Sequence, residues 1–416
     1  MWTDRAVEPH DQRKPEVAAR ILAACLALAA ATACGGSKPG PVRPVASSAS
    51  HEVLPFIHDD YSRALAEARA KKKPIFVDAW APWCHSCLSL RSYVLTDPSL
   101  APIANDYVWL SIDTEKESNA PFVAKFTHEA LPTLWVIRPE DEEPTLRWAG
   151  TVTAKELRDL LAAKPSELHA AHERTLAMSK QDEPACARLA ATEAPKLPRG
   201  TPRADIVATG LACARGAKLE AEADVLAEIA LRDASEGEGA LLADDRSALF
   251  EEVVETKRAR GDEAGARAVA TRWAAFLEAE AAKAKTPEAR AVFDAHRLGA
   301  YLALGQPERA VPMLLASERD FPGDYNPPAR LAVAYLEMKR LDDASAAIDR
   351  AAKRVYGPRA MRVLSVAADV AKARGDRAGE RRALEEALAR TEKATLTTGQ
   401  KKVRERLAKR LAAIGP

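Results

Sequence analysis

Net charge, aromatic residues and cysteines are all scarce in this sequence of 416 residues. Its 61 Lys and Arg residues balance 60 Asp and Glu residues to leave a formal net charge of +1, so it lacks the basic excess typical of nucleic-acid-binding proteins. Six cysteines are too few for a small fold that depends on disulfides for its stability. The length and a hydrophobic content of 47% instead predict two or more domains with cores of their own.

The N-terminal region contains an uncharged apolar run at residues 21–33. It has 13 residues, fewer than the roughly 20 of a membrane-spanning helix, and is typical of a secretory signal core. The run ends in Ala-Thr-Ala-Cys at Cys34, followed by Gly-Gly-Ser, and resembles the lipobox of bacterial lipoproteins. The resemblance implies cleavage before Cys34, which then carries lipid. Ordinary signal cleavage nearby, with Cys34 left as a free thiol, is the alternative.

These features predict a lipoprotein-type signal peptide at 1–33 and a lipid-bearing tether, rich in proline and serine, at 34–50. The lipoprotein resemblance implies attachment to a membrane through the lipid. It also implies a place in the cell envelope, with the folded part facing the periplasm. Gly35 rather than Asp after the lipid-bearing cysteine favours the outer membrane under the usual sorting preference of lipoproteins.

Aromatic residues make up only 5% of the chain, but 12 of the 22 fall within residues 51–164. This distribution predicts two different core chemistries and a domain boundary near 164–166. Within 51–164 helices and strands are predicted to alternate, which is typical of an α/β sheet with helices packed on it. The predicted helices are 61–72, 88–95, 121–126 and 155–163, and the predicted strands are 75–80, 107–112, 132–137 and 146–148.

A specific resemblance lies in this segment. Residues 77–87 read Val-Asp-Ala-Trp-Ala-Pro-Trp-Cys-His-Ser-Cys and resemble the active-site stretch of the thioredoxin superfamily. Leu-Pro-Thr at 131–133 matches the position where that superfamily has a cis-proline facing the cysteines. A predicted helix-first order, the turn at 95–98 and the Asp-Thr pair at 113–114 resemble the C-terminal, thioredoxin-like domain of DsbD-type disulfide-interchange proteins.

The expected chemistry centres on two cysteines. Cys84 is predicted where a strand meets a helix, and the unpaired N–H groups and helix dipole there lower the thiol pKa and make it the nucleophile. Cys87, one turn further on the same face, is expected to resolve a mixed disulfide. The resemblance implies that Asp78 accepts or relays the Cys87 proton and that Pro132 positions substrate backbone. The family's lysine partner to this Asp is absent, because the matching strand position is Trp109.

Residues beside the cysteines are predicted to contact the substrate. We expect Trp83 to present an exposed surface to it, with His85 and Leu131 nearby. For His85 two interpretations remain open, namely electrostatic stabilisation of the Cys84 thiolate and simple exposure at the start of the helix.

The cysteine pair itself has two other interpretations, a zinc site and an inert structural disulfide. No second pair of Cys or His residues has the spacing of a zinc site. We therefore predict no metal, and no cofactor other than the redox-active disulfide between Cys84 and Cys87.

The direction of electron flow is not fixed by the motif. His-Ser between the cysteines matches neither the Gly-Pro of reductive thioredoxins nor the Pro-His of strong oxidants, and the dithiol potentials in this fold vary widely. The DsbD-type resemblance and Asp78 favour a protein disulfide reductase or isomerase over an oxidase. A reductant in an export compartment would need an upstream electron donor in the membrane.

Residues 165–416 are predicted to form an all-α helical repeat. Tyr301, Ala310 and Leu314 recur 34 residues later as Tyr335, Ala344 and Ile348, and this period resembles tetratricopeptide repeats. Gly305 and Pro322 have no counterpart in the second copy. Such repeats stack into a solenoid with a shared core. A binding surface for a protein partner and support for the first domain are two open interpretations of this region.

Cys186 and Cys213 lie in this helical region, each in a helix that begins near a proline. Antiparallel neighbouring helices would bring the two sulfurs within bonding distance. In an oxidising compartment we predict a structural disulfide. A second redox pair that exchanges electrons with the first is the alternative.

Together these observations predict a periplasmic thiol–disulfide oxidoreductase that acts on protein disulfides. The competing hypothesis is a partner-binding or assembly lipoprotein in which the repeats carry the function and the thioredoxin-like domain is auxiliary.

Overall fold

The computed structural model describes residues 53–128, 130–162, 173, 177–178, 181–236 and 240–414. The predicted signal peptide, the tether with Cys34 and the predicted boundary at 164–165 lie outside these residues. Residues from Val53 onward belong to one compact unit. In the part of the chain that the structure describes, no helix has both the length and the apolar content needed to cross a membrane.

A five-stranded mixed sheet forms the first part of this unit, with the strand order β1-β3-β2-β4-β5. Strands β1 and β2 both pair in parallel with β3, whereas β4 is antiparallel to β2 and β5 is antiparallel to β4. The strands are β1 (Phe56–His58), β2 (Ile75–Trp80), β3 (Val108–Asp113), β4 (Thr133–Ile137) and β5 (Pro144–Ala149). The accompanying helices are α1 (Tyr61–Lys71), α2 (His85–Ser89), α3 (Ala120–Lys125) and α4 (Ala154–Leu161). The predicted α/β architecture is confirmed.

The expected helix-first order is wrong, because strand β1 precedes α1. Phe56, Ile57 and His58 pair with residues of β3 at the edge of the sheet. Three residues are too few to show the period-2 alternation by which a strand is recognised in a sequence. Helix α1 itself begins as predicted, since the side chain of Asp60 accepts a hydrogen bond from the Arg63 backbone N–H at 2.9 Å.

The central strand β2 has a core on each of its faces, because successive side chains point to opposite sides of a sheet. Ile75 and Val77 belong to the core that also contains Ala64 and Ala68 of α1. Phe76 belongs to the other core, which includes Trp109, Trp148 and Leu157. Asp78 therefore lies on the Phe76 side of the sheet, at the end of an otherwise apolar strand.

Helix α2 continues directly into one π-helical turn at Leu90–Val94. Leu90 and Val94 are buried in the same core as Phe76. This turn places Arg91 beside the sheet end that carries Asp78, as described below.

The second part of the unit is helical. It confirms the prediction of an all-α region similar to a solenoid of helix pairs. Its helices are α5 (Glu183–Glu193), α6 (Thr201–Ala217), α7 (Glu220–Ser235), α8 (Ala243–Ala259), α9 (Glu263–Lys283), α10 (Pro287–Ala291), α11 (Asp294–Leu304), α12 (Ala310–Asp320), α13 (Asn326–Glu337), α14 (Leu341–Arg354), α15 (Ala360–Ala373), α16 (Arg377–Arg390) and α17 (Thr398–Ile414).

The predicted 34-residue repeat corresponds to the helix pairs α11–α12 and α13–α14. Ala310 and Ala344 are both fully buried, which allows the two helices of each pair to approach closely. Gly305 ends α11 in the left-handed conformation with φ of 71°. Lys339, its counterpart in the second copy, has a φ of 57°. The backbone geometry of the repeat is therefore retained where the glycine is lost.

Helices α5 and α6 are joined by a disulfide between Cys186 and Cys213, whose Cα atoms lie 6.0 Å apart. Cys186 is fully buried and its neighbours Ala187 and Ala190 belong to the helical core. The structure thus places these two cysteines as the sequence predicts. Thr201 is the first residue of α6, and Gly200 is the capping position.

Candidate redox site

Cys84 lies at the junction of strand β2 and helix α2, where it is the N-cap residue of the helix. Its sulfur accepts a hydrogen bond from the backbone N–H of Cys87 at 3.1 Å and is disulfide-bonded to Cys87. A sulfur that receives a helix N-terminal N–H is stabilised as a thiolate once the disulfide is reduced. The geometry thus agrees with a nucleophilic Cys84 and a resolving Cys87.

Asp78 is fully buried in strand β2, which ends at Trp80, four residues before Cys84. Burial raises the pKa of its carboxyl, and the nearby Arg91 guanidinium partly opposes that rise. Among the described residues, Asp78 Oδ1 has no hydrogen-bond partner. A buried carboxyl with a raised pKa and an unpartnered oxygen is suited to accept a proton from Cys87.

The family's lysine is absent as predicted, but Asp78 has a cationic partner from another part of the chain. Arg91 Nη1 donates hydrogen bonds to Asp78 Oδ2 at 3.0 Å and to Ser111 Oγ at 2.5 Å. Ser111, and not Trp109, lies opposite Asp78 in the paired strand. The positive charge therefore comes from the π-helical turn after α2, and its guanidinium stacks 4.1 Å from the centre of the Trp80 ring.

Pro132 occupies the position predicted for it. The Leu131–Pro132 peptide bond is cis, and Leu131 packs against the small apolar cluster of Ala81, Cys84 and Cys87. The backbone before Pro132 is thus next to the disulfide, where it could contact a bound peptide.

The expectation that Trp83 is an exposed substrate surface is wrong. Its indole Nε1 donates to Glu115 Oε1 at 3.0 Å, and the guanidinium of Arg359 lies 4.6 Å from its ring centre. The backbone N–H of Arg359 also donates to Glu115 Oε2 at 2.7 Å. Trp83 packs against the core of the helical region, so it joins the two parts of the protein.

The interpretation of His85 as simply exposed is wrong. Its Nδ1 lies 2.8 Å from Asp244 Oδ1 and 3.1 Å from Oδ2, and its side chain is only 13% exposed. Burial lowers the pKa of His85 to about 4, although the Asp244 carboxylate opposes this. The imidazole Nδ1 thus faces a carboxylate of the helical region.

The helical region covers the cysteine pair. Cys84 is 3% exposed and Cys87 is fully buried. Asn326 Nδ2 donates to the Pro82 carbonyl at 3.2 Å, and Tyr356 donates its hydroxyl to Asp113 Oδ2 at 2.6 Å. We call this contact the motif interface; on the redox side it comprises Pro82, Trp83, His85, Asp113 and Glu115, and on the helical side Asp244, His296, Asn326, Tyr356 and Arg359.

Sequence reasoning missed Arg91 and every helical member of the motif interface. Arg91 offered a signal, because a cation one turn after Cys87 falls on the same helical face as that cysteine. Asp244 and Arg359 offered none, since their positions 160 and 275 residues from Cys84 show no pattern that would bring them to the motif.

Two family models match separate segments of the chain. The description "Thioredoxin-like" matches residues 57–139, and "Tetratricopeptide repeat" matches residues 301–364. Both agree with the domains described above.

Curated relatives of the chain are DsbD proteins, which match about a quarter of its length or less. The chain is 32% identical over 78 residues to the thiol:disulfide interchange protein DsbD of Pseudoalteromonas atlantica, covering 18% of this chain and 13% of the relative. It is 32% identical over 100 residues to DsbD of Salmonella typhi, covering 23% of this chain and 17% of the relative. It is 35% identical over 116 residues to DsbD of Cronobacter sakazakii, covering 27% and 20%. The chain thus spans at most a fifth of these relatives' lengths.

A solved structure titled MamA MSR-1 C2 aligns with 49% of this chain and with 98% of the chain in that structure, at 18% identity. The TM-score of 0.24 is too low to support an inference about this protein. The chain carries a thioredoxin-like domain at residues 57–139 and tetratricopeptide repeats at residues 301–364, and its Cys84–Cys87 pair indicates thiol–disulfide redox chemistry.

Proposed function

We propose that the protein is a periplasmic thiol–disulfide oxidoreductase that reduces or isomerises disulfides of other proteins. The observation that carries the proposal is the position of Cys84 at the N-cap of α2, disulfide-bonded to Cys87, with Asp78 buried in the preceding strand. The similarity of this segment to DsbD proteins supports the same reaction class.

The reaction begins from the reduced pair. The Cys84 thiolate attacks one sulfur of the substrate disulfide, so that a mixed disulfide forms and the substrate's other sulfur leaves as a thiolate and takes up a proton. Cys87 then loses its proton to Asp78 and attacks Cys84 Sγ, which releases the second substrate thiol. Two electrons pass to the substrate, and Cys84–Cys87 is left oxidised.

Reduction and isomerisation differ in which thiolate resolves the mixed disulfide. In reduction, Cys87 displaces the substrate and an upstream membrane dithiol donor must return two electrons to the pair. In isomerisation, another thiolate of the substrate attacks the mixed disulfide and expels Cys84, so no net electrons are needed.

Access to Cys84 is part of this proposal. A sulfur that is 3% exposed cannot be reached by a disulfide of a folded protein, so the motif interface must separate before attack. In the oxidised form the helices around Asp244 and Arg359 keep the pair covered.

An insulin-reduction assay tests the redox function. We expect the reduced protein to accelerate reduction, Cys84→Ser to abolish the acceleration, and the double variant Cys186→Ser with Cys213→Ser to retain it per folded molecule. The same assay with Cys87→Ala should instead trap covalent Cys84 adducts. Lack of activity in the reduced parent would contradict the proposal.

The burial of Cys84 also favours a second candidate function, in which the tetratricopeptide repeats bind or assemble a protein partner and the redox domain is auxiliary. This candidate predicts no insulin reduction by the reduced parent, and partner capture that is unchanged in Cys84→Ser.

We further propose that the mature protein is anchored by lipid on Cys34 to the outer membrane and faces the periplasm. Support comes from the sequence at residues 21–37. Incorporation of labelled fatty acid should be lost in Cys34→Ser and retained in Cys25→Ser, and fractionation of the two membranes tests the location.

A further inference from the structure

His85, Asp244 and His296 form a buried cluster at the motif interface. They come from three separate elements, since His85 begins α2, Asp244 lies in the first turn of α8 and His296 lies in α11. One potential ligand atom of each lies within 4.8 Å of the others. Two imidazoles and a carboxylate are a donor set that zinc accepts in proteins.

We propose that these three side chains bind one divalent transition-metal ion of the zinc class. No metal was predicted from the sequence, because that prediction considered only cysteines or histidines paired at short spacing. Here the donors are 159 and 52 residues apart along the chain, and only the fold brings them together. The proposal is independent of the redox function and needs no electron transfer.

The two nitrogen-to-oxygen distances fit an ion after a small adjustment. His85 Nδ1 and His296 Nε2 each lie 2.8 Å from Asp244 Oδ1. Zinc bonds of 2.0–2.2 Å in a tetrahedron place neighbouring ligand atoms about 3.3 Å apart. Each nitrogen would thus move roughly half an ångström from the carboxylate oxygen, a shift within reach of a χ rotation.

Metal binding requires any imidazole proton that faces Asp244 to move elsewhere. The ion needs a lone pair on His85 Nδ1 and on His296 Nε2, the two nitrogens that face the Asp244 carboxylate. When a ring is neutral, a change of tautomer moves its proton to the second nitrogen of the same ring, so metal binding to a neutral ring releases no net proton.

The surroundings favour a cation. The Asp244 side chain is 2% exposed and that of His296 is fully buried. A buried carboxylate is costly unless an opposite charge or strong hydrogen bonds compensate it. Three protein donors also leave a fourth position for water, as in zinc sites that are not closed by protein alone.

The ion would tie the redox motif to the helical region. His85 is adjacent to Cys84, whereas Asp244 and His296 belong to the helices that cover it. Metal binding would therefore stabilise the covered form of the cysteine pair. The alternative is a hydrogen-bonded cluster that takes up no ion, and binding measurements separate the two.

The test uses the full chain with Cys25→Ser and Cys34→Ser and with both remaining cysteine pairs oxidised, so that no thiol can bind metal. Zn²⁺ is titrated calorimetrically, and Co²⁺ is added as a spectroscopic probe. We expect one saturable site for each ion, with cobalt d–d absorption typical of four or five nitrogen and oxygen ligands.

Asp244→Asn and His296→Gln should each lower the Zn²⁺ affinity at least about tenfold, the smallest effect usual even for loss of an outer hydrogen-bond partner of a ligand. The control is His58→Gln, at an exposed histidine outside the cluster, which should bind like the parent. No saturable binding by the parent, or equal binding by all variants, would overturn the proposal.

Unfolding temperature provides a second measurement in case a variant is destabilised. Zn²⁺ should raise the unfolding temperature of the parent and of His58→Gln through preferential binding to the folded state. It should leave those of folded Asp244→Asn and His296→Gln unchanged. An equal rise of the unfolding temperature in all four proteins would show that Zn²⁺ binds elsewhere and would reject this site.

Discussion

Arg91 Nη1 lies 3.0 Å from Asp78 Oδ2, so the buried carboxyl in the strand before the cysteine pair obtains its positive partner from the helical segment that follows that pair. A change at the start of α2 therefore affects both the nucleophile and the group proposed to accept the resolving proton.

Replacing Arg91 by Met should raise the pKa of Asp78 further, because it removes the charge that opposes the effect of burial. The carboxylate form would then become available only at higher pH. We expect the pH midpoint for resolution of the mixed disulfide to move upward, which rapid-quench measurement with a disulfide peptide would detect. Arg138→Met, at an exposed arginine paired with Asp141, is the matched control and should keep the parent's midpoint.

Loosening the motif interface should expose Cys84. Arg359→Ala removes the guanidinium over Trp83 but keeps the backbone N–H that binds Glu115. Loss of a desolvated cation–π contact of about 1–2 kcal/mol would raise the open population about five- to thirtyfold. Alkylation of reduced Cys84 by iodoacetamide should accelerate accordingly. The surface variant Arg382→Ala should react at the parent's rate, and equal rates for both variants would show that the cover does not depend on this contact.

The disulfide between Cys186 and Cys213 should contribute to stability and not to catalysis. Its removal by paired Ser substitutions should lower the free energy of unfolding by roughly 3 kcal/mol, as chain entropy predicts for a loop of this length. Denaturant unfolding measures the loss. Graded reduction followed by peptide mapping should open Cys84–Cys87 first; simultaneous opening would favour the second redox pair instead.

Asp294 should make stability depend on pH. Burial raises its pKa from 3.8 to about 6, so the folded state holds this proton more tightly than the unfolded chain does. The stabilising contribution is complete below pH 3.8 and is lost as the pH rises through 6, with a total of about 3 kcal/mol. Asp294→Asn should therefore stabilise at pH 8 and have little effect at pH 4. Asp349→Asn, at an exposed position of α14, should show no such difference between the two pH values.

The local part of the redox site could be predicted from the sequence because its residues share one short motif. Cys84, Cys87 and Asp78 lie in a strand–helix junction of ten residues, and strand and helix periods fix their relative positions. Pro132 was predicted from a family resemblance and is found beside the cysteines.

The surroundings of that motif could not be predicted. Trp83 was expected to be exposed, and simple exposure was one of two interpretations of His85. Both residues are instead partly buried, because they contact Asp244 and Arg359. These partners belong to a region that the sequence identified only as helical. Hydrophobic periodicity indicates which face of a helix is buried, but it does not identify what that face covers.

The cover over Cys84 has a thermodynamic consequence for any molecule that the helical repeats bind. If a partner binds more tightly when the motif interface is separated, it must shift the equilibrium towards a mixed disulfide on Cys84, which also needs the separated form. Reciprocity then requires that mixed disulfide to increase the affinity for the partner by the same factor. The redox state of Cys84 and the binding of a partner to the helical repeats are therefore linked through one equilibrium, between the covered and the separated forms of the motif interface.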